Sequence, residues 1–151
     1  MMKRTFAWVL ATTICLSVAR AADINIIAAT STGTDAPATT SFAPDTPAVF
    51  ALLQMEGVLK GDKLRVVWIA DDVGEAAPAH TQIAEKAMTM EGVPNEGNFS
   101  CTKPAKNWPV GKYHVDIYAN DKLMTTAKFT VEKAKKTAEE PPPNKDASAG
   151  Q

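Results

Sequence analysis

Apolar and polar residues alternate along the middle of the chain, and this alternation predicts β-strands. In residues 112–119 the apolar side chains fall on every second position, beginning with Tyr113. Residues 63–70 and 123–131 show the same alternation. Successive side chains of a strand point to opposite faces, so each stretch predicts one inward and one outward face. The inward residues predicted for 63–70 are Leu64, Val66, Trp68 and Ala70.

Four further stretches complete a predicted set of about seven strands. They are residues 24–29, 49–55, 83–90 and 98–102. The second of them is almost continuously apolar, as expected of a central strand, whereas the third also allows a helix over 83–88. Asn120 and Asp121 tolerate positive φ and predict a tight hairpin between the last two strands. Strands of this length, separated by turn signals, predict an all-β protein with an antiparallel β-sandwich.

Residues 108–113, Trp-Pro-Val-Gly-Lys-Tyr, resemble the corner before the sixth strand of immunoglobulin-like domains. Trp68 lies in the third long strand, where those domains bury a tryptophan. The chain is therefore similar to the immunoglobulin-like or fibronectin type III-like domains of secreted bacterial proteins. The similarity is clearest over 85–131 and weaker over 45–70.

This resemblance implies roles for four residues and the absence of the disulfide found in antibody-type domains. Trp68 and Trp108 are expected in the core, Gly111 in the corner, and the Tyr113 hydroxyl is expected to bond back to that corner. Val115 stands where antibody-type domains carry their second cysteine, so the sandwich is expected to hold together without a disulfide. The fold itself does not imply an activity, because this sandwich carries many functions.

The first 21 residues have the features of a secretory signal peptide. Lys3 and Arg4 precede an apolar run over 6–18, and Ala19-Arg20-Ala21 supplies the small residues that a signal peptidase recognises. The run is shorter than the roughly 20 apolar residues that a spanning helix needs. We therefore expect a periplasmic or secreted bacterial protein without a membrane span after cleavage.

Cleavage after Ala21 changes the charge and the cysteine count. The full chain has 16 basic and 17 acidic residues, and loss of three basic residues leaves 13 against 17, a net charge of −4. This acidic balance differs from the basic surface of nucleic-acid-binding proteins, so no nucleic-acid partner is expected. Cys101 remains, and because it is two residues from Phe99 it is expected to share a buried strand face.

The rest of the chain divides into a domain and a tail. Residues 22–133 are predicted to form the sandwich domain. Residues 134–151 contain three consecutive prolines and no aromatic or large aliphatic residue. Such a segment cannot bury enough apolar surface to offset the entropy lost on ordering, so it is predicted to be a disordered tail.

The sequence contains no recognisable catalytic motif. It lacks the G-x-S-x-G motif and a glycine-rich phosphate loop, and its two histidines, His80 and His114, lack metal-ligand spacing. Asp71, Asp72 and Glu75 form an acidic loop without the calcium-loop pattern. A protein without enzymatic activity is expected. An enzyme whose site is assembled from distant residues remains the third hypothesis.

A copper site is the second hypothesis. Met88 and Met90 are two residues apart and could share a strand face, and His114 could add an imidazole. Thioether and imidazole ligands suit copper. Methionine is also a common core residue, so the leading expectation is that the protein has no cofactor.

The leading hypothesis is an exported, non-catalytic module that binds an unknown protein or envelope component. Binding would use a sheet face or a sheet edge, by side-chain contacts or by strand addition. The face predicted for this role is the outward face of the sheet that contains Trp68 and Tyr113. Its residues include Val67, Ile69, His114, Asp116 and Tyr118. Several of them are more apolar than a solvated face requires, and exposed apolar patches often mark partner surfaces.

Overall fold

The computed structural model of the protein describes residues 23–133, so the predicted signal peptide (1–21) and tail (134–151) lie outside the described residues. Eight strands and one short 3-10 turn at Gly74–Ala76 make up the described part. The strands are β1 (Asn25–Ser31), β2 (Ser41–Phe42), β3 (Ala48–Glu56), β4 (Lys63–Asp72), β5 (Thr81–Thr89), β6 (Glu96–Thr102), β7 (Gly111–Ala119) and β8 (Lys122–Val131). All seven predicted strands are present.

The strands form two sheets, one of three strands and one of five. The smaller sheet has the order β1-β3-β6, and the larger has the order β2-β8-β7-β4-β5. All pairs are antiparallel except β2 with β8, which is parallel. In the letters used for immunoglobulin domains, the small sheet corresponds to strands A, B and E, and β4, β7 and β8 correspond to C, F and G. The predicted immunoglobulin-like sandwich is confirmed.

Inward side chains of both sheets form the core between them. Leu64, Val66 and Trp68 of β4 are completely buried, and Val115 of β7 pairs with Trp68. No disulfide contributes within the described residues, where Cys101 is free and buried. Packing around Trp68 therefore holds the two sheets together, as the alternation predicts.

The corner before β7 forms as the resemblance implies. The Tyr113 hydroxyl donates a hydrogen bond of 2.5 Å to the carbonyl oxygen of Pro109. Trp108 packs edge-on against Tyr113, with 5.9 Å between ring centroids, and its Nε1 donates a hydrogen bond to the Thr46 carbonyl oxygen. Tyr113 in turn stacks on Phe129 of β8. Burial raises the pKa of Tyr113 to about 12, so the hydroxyl keeps its proton at neutral pH.

The structure contains one strand that the sequence pattern did not predict, and it decides between strand and helix for another segment. Residues 41–42 form the short strand β2, which pairs with β8 and brings Phe42 edge-on to Phe129. A two-residue strand has no detectable period, so the pattern could not indicate it. Residues 83–88, which also allowed a helix, belong to β5. The hairpin at Asn120 and Asp121 forms with positive φ at both residues, as predicted.

The sheets overlap unequally. Contacts between β1 and β8 place one end of the small sheet over the β8 side of the large sheet. With this alignment β3 lies over β7 and β6 lies over β4, given the strand order. The large sheet extends one strand further, so β5 has no strand opposite it.

Candidate functional site

Three polar side chains distant in sequence meet on the outer face of the large sheet. Nδ1 of His114 on β7 lies 2.7 and 2.8 Å from the two carboxylate oxygens of Asp71 on β4. Nδ1 of His80, in the turn before β5, lies 3.0 Å from the same carboxylate. A carboxylate only accepts hydrogen bonds, so both ring nitrogens donate. His80 has a φ of 58°, an uncommon value for a residue other than glycine.

The network continues along β7 to β8. The other ring nitrogen of His114, Nε2, is 3.3 Å from Oδ2 of Asp116. Asp116 accepts a hydrogen bond of 2.6 Å from the Thr126 hydroxyl. His114 is therefore held between two carboxylates, one at each ring nitrogen.

The two histidines determine the acidity of Asp71. Burial alone would raise the pKa of this carboxyl, but the hydrogen bonds from His114 and His80 and their positive charge together lower it below its ordinary value of 3.8. The carboxylate form is thus the stable form of Asp71 at and below neutral pH.

The imidazoles and carboxylates of this network pair with one another. Each ring nitrogen of His114 faces a carboxylate oxygen, Nδ1 that of Asp71 at 2.7 Å and Nε2 that of Asp116 at 3.3 Å. His80 is largely exposed and uses Nδ1 for Asp71. Within residues 23–133 no group of three or more His, Cys, Asp and Glu side chains is arranged to hold a metal ion. Asp71, His80 and His114 are all identifiable in the sequence. Their contact could not be predicted, because 43 residues separate Asp71 from His114.

The structure corrects the expected character of the predicted binding face. Its five residues do lie on one face, but Val67 is only 4% exposed and Asp116 only 9%. Tyr118 is covered by the Arg65 guanidinium, whose carbon lies 4.0 Å from the ring centroid. His114 and Ile69 are half-buried. An exposed apolar patch is therefore not formed at Val67, and the Arg65 side chain lies over the Tyr118 ring; the binding role of this face stays a prediction.

The three residues of the copper hypothesis do not form one site. Met88 pairs with Leu64 and shares its inward face, whereas His114 pairs with Ile69 on the outward face. The two register positions are five residues apart on β4, about 17 Å along the strand. Met90 is buried in the core at the end of β5, where its backbone pairs with Asp62 and Gly61.

The exposed apolar surface lies on the other sheet. A shallow concavity of about 490 Å³ on the outer face of the small sheet is lined by Ile27, Ala29, Leu52 and Gln54, with Asn98 on β6. Ile27 is 60% exposed. The continuous apolar run of β3 was the available signal, because such a strand has apolar residues on both faces.

A second exposed surface is the side of the sandwich where the sheets overlap unequally. We call this the open flank: the inward face of β5, formed by Ala84, Lys86 and Met88, together with the unpaired edge of β6. Met88 is 50% exposed although it points inward. Lys86 makes no ion pair with any residue of 23–133 and acts electrostatically on the Cys101 thiol of β6. The two strands therefore face each other across the flank.

Cys101 lies at the base of the open flank and is buried, as expected from Phe99. Burial raises the pKa of its thiol, and the charge of Lys86 offsets this in part. Because the thiolate is the reactive form, Cys101 has the character of a packing residue.

Comparisons with solved structures give matches at 13–16% sequence identity. No protein-family description matches the chain, and no curated protein sequence matches it. An immunoglobulin-like protein from Pseudomonas aeruginosa has a TM-score of 0.46 and 15% identity, covering 72% of this chain and 91% of its own. An alkylpurine DNA glycosylase from Pseudomonas fluorescens, solved bound to DNA with an abasic site analogue, has a TM-score of 0.42 and 16% identity. A family 3 β-glucosidase from Bifidobacterium adolescentis has a TM-score of 0.41 and 13% identity.

The last two proteins are much longer than the matched region. The similarity covers 74% and 72% of this chain but only 31% of the glycosylase and 17% of the glucosidase. The immunoglobulin-like assignment rests on the strand order described above. In addition, no helix within residues 23–133 has the length and apolar character needed to cross a membrane.

Proposed function

We propose that the protein is an exported, non-catalytic module that binds a protein partner through the open flank and needs no cofactor to do so. The observation that carries this proposal is that β5 and β6 end their sheets on the same side of the sandwich, with no strand across from β5. Export rests on the signal-peptide pattern of residues 1–21.

Unpaired strand edges support binding because they carry free backbone donors and acceptors. A partner segment that pairs with such an edge gains main-chain hydrogen bonds, and neighbouring side chains select the partner. The opposite side of the sandwich offers less, because β2 pairs with β8 and the backbone of Thr39 donates to Thr30 of β1. The flank is thus the larger open edge of the described part.

The His114 network supports a role without catalysis. Nε2 of His114, the nitrogen that a general base would use, faces the Asp116 carboxylate at 3.3 Å, so a substrate would have to displace that contact. The network ties β4, β7 and β8 together on the face that the flank does not use. Its best supported role is to fix the large sheet that presents β5.

Site-specific photo-crosslinking in the producing bacterium tests the proposal. A photoreactive phenylalanine analogue replaces Met88, which is 50% exposed on the inward face of β5. We expect a discrete crosslinked protein adduct from this position in the exported fraction. The matched control replaces Val110, which is 46% exposed in the corner before β7 and outside the open flank. Adducts from Val110 with none from Met88, or none from either position, contradict the proposal.

A further inference from the structure

We propose that the open flank accepts an extended acidic peptide segment, which adds to the edge of β6 as a fourth strand of the small sheet and places a carboxylate against Lys86. This inference rests on the proposed function and specifies its partner. The extended form of the partner follows from the free edge of β6, and its acidic character follows from the charge of Lys86, which makes no ion pair within residues 23–133.

The strand order defines where the segment lies. Immunoglobulin constant domains have strand D beside strand E, whereas here the strand between C and E, β5, pairs with β4 in the other sheet, so β6 keeps a free edge. Residues 90–95 connect β5 directly to β6 and leave the fourth position empty. A strand added to β6 would lie about 10 Å from β5, the usual spacing of stacked sheets. Its inward side chains would then contact Ala84, Lys86 and Met88.

The inward face of β5 determines what those side chains should be. Ala84 is partly buried and packs against the core, Lys86 is exposed, and Met88 is half exposed. Side chains of one strand face repeat every second residue. The complementary segment therefore carries apolar, acidic and apolar residues at alternate positions, with the acidic residue in the middle.

The edge of β6 is a better template than the edge of β5. Native proteins protect edge strands with bulges, prolines and inward-pointing lysines. β5 has two of these features, a bulge where its register with β4 shifts between Trp68 and Ile69, and the inward Lys86. β6 (Glu-Gly-Asn-Phe-Ser-Cys-Thr) has no lysine and no proline, and its register with β3 is regular throughout.

The same features allow a second explanation of Lys86. The experiment must distinguish this explanation from the proposed role in selecting an acidic strand. An inward lysine at an open edge could serve only to prevent strand addition. In that case any strand would be repelled equally, and removing the lysine would permit binding. In the proposed role the lysine selects an acidic strand, and reversing its charge removes the selection.

Peptide binding to the purified protein tests the proposal. The probe is a fluorescently labelled, amidated peptide, Thr-Val-Thr-Glu-Thr-Val-Thr, which presents the glutamate between two valines on one face. The control peptide, Thr-Val-Glu-Thr-Thr-Val-Thr, has the same composition and charge but presents the glutamate on the opposite face. We expect the probe to bind about fivefold more tightly than the control, as one partly exposed ion pair of roughly 1 kcal/mol provides. Bound peptide is expected to slow amide hydrogen exchange in β6.

Two lysine variants provide the protein controls. Lys86→Glu is expected to lose the preference for the probe, whereas Lys122→Glu, an exposed lysine at the start of β8, is expected to keep it. Circular dichroism melts of both variants check that the fold is retained.

Three results would overturn the inference. Equal affinity for both peptides with protection of β5 would show strand binding at the other edge, which leaves the proposed function intact. A third variant, Lys86→Thr, removes the charge. Peptide binding to this variant alone would show that Lys86 serves to prevent strand addition. Absence of peptide binding, alongside crosslinked adducts from position 88, would show a partner of different chemistry. The proposed function itself fails only in the crosslinking experiment.

Discussion

Close packing at single residues decides how the corner before β7 is built. A side chain at Gly111 would place its Cβ 2.1 Å from the carbonyl oxygen of Asp72 and 2.9 Å from the Cα of Val73. Both are backbone atoms at the end of β4 and cannot move away independently. The glycine of the Trp-Pro-x-Gly-x-Tyr sequence is therefore required because two strands approach closely there.

Gly111→Ala should destabilise the protein by about 3 kcal/mol, the upper range for overpacking. Chemical denaturation measured by tryptophan fluorescence provides the free energy of unfolding. Gly92→Ala is the matched control, because a Cβ at Gly92 meets no atom within 4 Å and its φ is ordinary. Similar stability of the two variants would contradict the close approach at Gly111.

Trp68→Ala should cost roughly 3–5 kcal/mol, as large-to-small substitutions in a core do. Trp68 is completely buried at the centre of β4, so no solvent can fill the space that the indole leaves. Urea titration followed by circular dichroism measures the change. A loss below about 1 kcal/mol would be inconsistent with full burial.

At the scale of single strands, sequence and structure agree where alternation is regular. Every inward residue predicted for β4 is buried, because the period of two is intrinsic to the strand. Exposure was harder to predict, because it depends on what covers each face. Val67 points outward yet is buried, and Met88 points inward yet is exposed. Pattern alone cannot reveal the number of strands in the opposite sheet.

A pair of methionine substitutions tests the uncovered face of β5. Met88→Ala should change the free energy of unfolding by less than about 0.5 kcal/mol, as exposed positions do. Met55→Ala, on the covered inward face of β3, should cost about 2–5 kcal/mol. Thermal melts of both variants under the same conditions compare the two sites. A large loss in Met88→Ala would mean that another part of the chain covers the flank.

At the scale of the whole molecule, long-range pairs are what the sequence could not reveal. The sandwich class and the tyrosine corner could be predicted, since strand period and a local six-residue sequence carry them. The contact of Asp71 with His80 and His114 depends on which strands become neighbours, and β4 pairs with β7 only through the fold. The free edge of β6 in the small sheet likewise depends on sheet order, because β5 pairs with β4 and not with β6.

The Asp71 network should make stability acid-dependent. The pKa of Asp71 is lower in the folded protein than the roughly 3.9 of an unfolded chain, so its contribution is full above about pH 4 and decreases as the pH falls through the folded value. Asp62, whose pKa is lowered by the Asn120 side chain and the Leu59 amide, acts in the same direction.

Urea titrations at pH 7 and pH 3 measure this dependence. Asp71→Asn should be less stable than wild type at pH 7, and the difference should shrink at pH 3. Asp45→Asn, an exposed residue before β3, is the control and should follow the wild type at both values. A constant difference between Asp71→Asn and wild type across the range would contradict the ion pairing.

The direction of β1 and β8 has a mechanical consequence. Asn25 begins β1 opposite Glu56, at the end of the sandwich where β4 starts, whereas Val131 ends β8 opposite Gly111, near the end of β4. The chain thus enters and leaves at opposite ends, about 30 Å apart for strands of this length. Tension between the two attachment points would run parallel to the strands, and ladder hydrogen bonds lie perpendicular to them. All bonds of a pair would then bear the load together rather than opening one by one.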